Sequence, residues 1–131
     1  MATQVQDAGL DNISAAWHNY ASRARYLQWG VGSGQAVTAT DLATKTGTTE
    51  ARVAGTTSQQ TTTVTNDTYQ VTGTITAAGA RAITELGVFD AAGSGTPPSG
   101  GNMGIYGDFS VINLQSADSI AFTVKVKFDQ A

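Results

Sequence analysis

Ile120-Ala121-Phe122-Thr123-Val124-Lys125-Val126-Lys127-Phe128 sets a large apolar residue at every even position, with Thr123, Lys125 and Lys127 between them. Side chains alternate across a strand, so this spacing predicts one buried and one solvated face. A slip of one residue would bury both lysines, so the register is firmly specified. Phe122 and Val124 are expected in the core, where truncation to Ala costs about 2–5 kcal/mol.

The same period recurs upstream. Thr68 to Thr76 puts Tyr69, Val71 and Ile75 on one face and Gln70, Thr72, Thr74 and Thr76 on the other. Asn66-Asp67 supplies a turn before it, and Asp118 a turn before the last strand, because such side chains bond their own backbone. Ala77 to Ala80 reads as a turn into Ala82–Phe89, which predicts a hairpin over 68–90 with a bulge near Gly87. Residues 52–65, rich in Thr and Val, read as a strand that is exposed on at least one face or lies against another chain. Arg25 to Trp29 is a short aromatic strand that runs into Gly30-Val31-Gly32-Ser33-Gly34, a flexible loop. Residues 91–102, with Pro97, Pro98 and several glycines, read as a surface loop.

Only residues 6–20 carry a helical period, with Leu10, Ile13, Trp17 and Ala21 on one stripe. The stripe suits either of two purposes. It can pack a short helix over one end of the domain's own core, with Trp17 as the anchor. Alternatively, it can dock on a neighbouring subunit, which makes Leu10, Ile13 and Trp17 the candidate interface residues. Six or so strands after one helix predict a mainly β, antiparallel β-sandwich or jelly-roll-like domain. It is read as a single domain over 1–131, with residues 1–24 as helix or arm and 25–131 as the sandwich.

Composition narrows the function. The chain has 131 residues, 40% of them hydrophobic and only 13% charged, with about twenty threonines and 15 glycines, a balance that favours strands and turns. Seven Lys+Arg against ten Asp+Glu give a net charge of -3, the wrong sign for neutralising phosphates, so nucleic acid is not expected as a partner. No apolar run is long enough for a membrane-spanning helix, and no basic-then-apolar leader is visible at the N-terminus. Cysteine is absent, which removes disulfides, thiolate metal sites and Cys nucleophiles.

A search for chemistry finds little. His18 is the only histidine and has no ligand-spaced neighbours, so it is expected to be dispensable and no metal or cofactor is expected. The ten acids are scattered singly, although two carboxylates could still meet in the fold. The glycines at 30, 32 and 34 have the wrong spacing for a phosphate loop, and no helix follows to present its N-terminus. Two sequons, at Asn12 and Asn66, carry little weight without a secretory leader. No enzymatic reading survives. A carbohydrate-binding module would need an exposed aromatic platform, for which Trp17, Trp29, Tyr26 and Tyr106 are the available rings.

Arg52-Val53-Ala54-Gly55-Thr56, then Asn66 to Ile75, Ala82 to Ala91, Gly107-Asp108-Phe109 and Asp118 to Lys125, resemble in order and spacing a small structural protein of tailed bacteriophages. Asp7 to Leu10 and Tyr26 to Gly30 are similar to the start of the same proteins. The resemblance implies a virion component without catalytic residues. Its first expected role is a capsid decoration (cement) protein, made in the host bacterial cytoplasm, that sits on the outer capsid as a homotrimer and contacts the major capsid protein. Phrases related to Ile83-Thr84-Glu85 and Asp118-Ser119-Ile120 also occur in tail-fibre and collar proteins, so a tail-collar, neck or fibre-associated module is the alternative.

Overall fold

A computed structural model describes residues 1–130 and contains one helix and seven strands in two antiparallel sheets, a β-sandwich. In chain order these are α1 (Asp7–Asn19), β1 (Tyr26–Gly30), β2 (Val53–Ala54), β3 (Thr56–Gln60), β4 (Thr68–Thr76), β5 (Arg81–Phe89), β6 (Met103–Leu114) and β7 (Ser119–Lys127). The sheets have the orders β2-β1-β5-β6 and β3-β4-β7. Tyr69, Val71 and Ile75 of β4 are buried against Leu27 and Trp29 of β1 and Ile83 and Val88 of β5, so the alternation in β4 reports the inner face correctly.

The Thr/Val-rich segment beginning at residue 52 is not one strand but two, broken where the chain passes from one sheet to the other at Gly55. A Cβ there would stand 2.6 Å from Val71 Cγ1 and 2.7 Å from Leu27 Cδ1, so only glycine lets the crossing chain lie against the core. Beyond Gln60 the predicted strand gives way to a tight turn. Asp67 closes it by accepting the amides of Thr62 (2.9 Å), Thr63 (3.0 Å) and Val64 (2.9 Å) and the Thr68 hydroxyl.

The expected 68–90 hairpin does not form. Both hydrogen-bonding edges of β4 are occupied, by β3 and by β7, so β5 has no place beside it. Ala77 prolongs the β4–β7 pairing through bonds with residues 117 and 118, and the chain then leaves for the other sheet, where β5 lies between β1 and β6. Register shifts in β5 fall at Ile83/Glu85 and Val88/Phe89, the second beside Gly87, near which the sequence predicts a bulge.

The stripe of α1 is rotated from the predicted one. Leu10 and Ser14 face the protein, and Ser14 donates its hydroxyl to the Thr68 carbonyl, whereas Ile13 is 41% exposed and Ala21 lies beyond the helix in solvent. Trp17 stacks on the ring of Tyr69 at 4.7 Å and lies 5.9 Å from Phe128, so α1 covers the Tyr69 end of the three-stranded sheet. Tyr69 donates its hydroxyl to the Ala24 carbonyl beneath it, and burial raises its pKa to about 12.

The outer face of the four-stranded sheet is covered by the segments joining β1 to β2 and β5 to β6. Arg52 is the fastener. Its guanidinium lies 3.6 Å from the centre of the Phe89 ring and donates to Gln28, Ala91 and Gly100, while Gln28 and Lys45 donate to the Pro98 carbonyl. The 91–102 loop is thus on the surface but pinned at several points, with Pro98 buried.

Candidate interaction surface

Two edge strands, β6 and β7, lie on the same side of the sandwich, one ending each sheet. Neither has a strand partner along its outer backbone. Their inward residues are only half buried: Ile105 and Phe109 from β6, Ile120, Phe122 and Val124 from β7. Phe109 and Phe122 meet across the gap with ring centres 6.3 Å apart, and a groove of about 300 Å³ runs between the strands, floored by Leu86 and Val88. The expected core positions Phe122 and Val124 therefore face inward as the sequence requires, but at the open side rather than the centre.

The opposite long side is closed. There β2 and β3 are short, the chain crosses between the sheets at Gly55, and α1 hydrogen-bonds to β3 through Gln59 with Asp11 and through His18 with Thr57. His18 is thereby satisfied by Thr57, which also accepts from Arg23 Nε.

Around the groove the two strands differ in charge. The only ionisable side chain of β6 that is charged at neutral pH is Asp108, whereas β7 carries Lys125 and Lys127 and no acid. β6 also exposes Val111 (53%) and Ile112 (39%), large apolar residues in contact with solvent.

A cluster that sequence reading did not find lies beside this edge. Glu85 is fully buried on the outer side of β5 and accepts from Gly32 N (3.2 Å), Gln35 Nε2 (3.3 Å) and Tyr106 Oη (2.8 Å). The Tyr106 oxygen also lies 3.3 Å from an Asp108 carboxylate oxygen, which in turn accepts the Gly34 amide at 2.9 Å. Burial, reinforced by Glu85, pushes the Tyr106 phenol up to about 12. The glycine-rich loop at 30–34 thus aims its amides at two carboxylates of its own chain, and its role is to fasten itself to the sheet. Register alone could have revealed the pair, since Glu85 and Asp108 are direct partners across β5 and β6.

The sequence-derived candidates fall in different places. Leu10 is 2% exposed under α1, Trp17 is engaged with Tyr69, and Ile13 stands in solvent. Of the rings considered for a sugar platform, Trp29 is 1% exposed and donates its indole N–H to Glu50, which leaves it no open face. Among the described residues no three His, Asp or Glu side chains converge as metal ligands, and no helix is long and apolar enough to cross a membrane. Comparison of the chain with protein-family models, with curated proteins and with solved structures finds no match.

Proposed function

We propose that this chain is a structural protein of a tailed bacteriophage virion, a capsid decoration protein that sits on the outer head surface as a homotrimer and stabilises it by contact with the major capsid protein. The observation that carries the reading is the placement of the phage-like phrases. They run along α1 and β1 to β4 as well as Ala82 to Phe89 in β5, Gly107-Asp108-Phe109 in β6 and Ser119 to Lys125 in β7, so the resemblance extends over the whole sandwich, the strands that frame the groove included. Its mechanism is mechanical rather than catalytic: each copy adds contact across capsomer boundaries, and linked copies gain avidity that one contact lacks.

The test is to mix the purified protein with undecorated capsids, sediment the particles and count bound copies. Saturation at hundreds of copies per particle, with capsids that survive higher temperature, is expected. No binding, or saturation at a few tens of copies, overturns the decoration role.

A further inference from the structure

We propose that the open side is a head-to-tail contact between copies of this chain, in which the β6 edge of one copy docks against the β7 edge of the next. The inference rests on the self-association in the reading above and specifies the surface that makes it.

Three features select a second copy as the occupant. First, β6 and β7 each leave one backbone edge without a strand partner on the same side of the molecule, with the Met103 amide at the start of β6 donating to the Thr40 carbonyl, and such edges are templates for strand addition unless guarded. Second, the guards are unequal. Lys125, together with Lys127, which also pairs with Asp129 at 3.0 Å, sets like charge against any β7-to-β7 pairing, whereas β6, a strand of 12 residues, carries only Asp108 as a charge. The basic strand therefore complements the acidic one, and the two lie on one chain. Third, β6 exposes Val111, an apolar group of the size that a neighbour's groove of about 300 Å³, walled by Phe122 and Val124, can receive, while Ile112, opposite Ile83, lies on the other face of the strand. An acidic edge that meets a neighbour's basic one through a single such junction is a heterologous contact, which closes into a ring when its rotation divides a full turn.

The experiment is sedimentation of the full chain and its variants over a range of concentrations, with circular dichroism to check folding. Lys125→Glu with Lys127→Glu reverses the β7 charge, and Asp108→Lys reverses that of β6. Each is expected to weaken self-association at least about a hundredfold, and mixing the two variants to restore contact between unlike copies, whose junctions are complementary again, while a ring of three keeps one junction between like copies. Asp108 also holds the Gly34 amide, so Val111→Asp, at an exposed site, provides a second and independent lesion on β6. Variants that keep the wild-type mass overturn the edge contact while leaving capsid decoration standing. A wild-type chain that stays monomeric yet binds capsids does the same, whereas an assembly sensitive to these substitutions that ignores capsids sinks the decoration role alone.

Discussion

Asp67 shows how one side chain can hold a corner of a sheet. It is 1% exposed. Burial acts to raise its pKa, but the amides of Val64, Thr62 and Thr63 and the Thr68 hydroxyl more than offset this, and the carboxyl is held well below its ordinary value. A depressed folded-state pKa contributes stability that is fully present above the ordinary value of 3.8 and is lost as pH falls below it toward the folded value. Asp67→Asn, which keeps one acceptor and loses the charge, is expected to lower the melting temperature at pH 7 and to flatten the loss of stability below pH 4; an unchanged acid profile would refute this role. Core depth makes a second contrast. Ile83 is fully buried, so Ile83→Ala should cost about 2–5 kcal/mol in chemical denaturation. Phe122 lies at the open side, and Phe122→Ala should cost less than that in the isolated chain, about 1–2 kcal/mol. Equal losses would mean that the groove is closed in solution. The sequence made the direction of these side chains legible, since alternation reports a face. It left their depth hidden, because depth depends on which strand ends a sheet.

At both ends of the 91–102 loop a carbonyl, of Ala91 and of Gly100, is held by one guanidinium from a distant segment. Arg52→Met removes the guanidinium from the Phe89 ring and strands the carbonyls of Ala91 and Gly100, and it is expected to cost about 2–4 kcal/mol and to open the loop to limited proteolysis. Cleavage no faster than in the wild type would show that Gln28 and Lys45 suffice. At the other end of the chain, α1 shields Tyr69, so deleting residues 1–22 should lower the melting temperature by several degrees whatever it does to assembly. Loss of assembly alone, with no loss of stability, would return the helix to the role of an arm. Strand existence was readable from period and turn residues, but partnership was not. Ala77 to Ala80 makes the same turn signal whether the chain folds back on β4 or crosses to the other sheet, and the decision lay in β3 and β7 having taken both edges of β4. The covering of the outer sheet face by residues 31–52 was equally silent, because those contacts are made by loops without a period.

For the molecule entire, the asymmetry between its two long sides matters most. One side is closed by the crossing at Gly55 and by α1 against β3; the other is open between β6 and β7 and joined only through the turn at residues 115–118. Amide exchange in the unassembled chain should therefore be faster in β6 and β7 than in β4 and β5, and it should slow selectively there on assembly. Uniform protection across all strands, free and assembled, would contradict an open side. The chain resembles a book whose spine is the passage at Gly55 and whose fore-edge is the Phe109–Phe122 seam. A book opens in one direction only, and thermal breathing of the two sheets is expected to spread the fore-edge before the spine. Anything that clasps the fore-edge would then hold the whole core together, and the proposed β6-to-β7 contact would stiffen each copy by the same junction that joins it to the next.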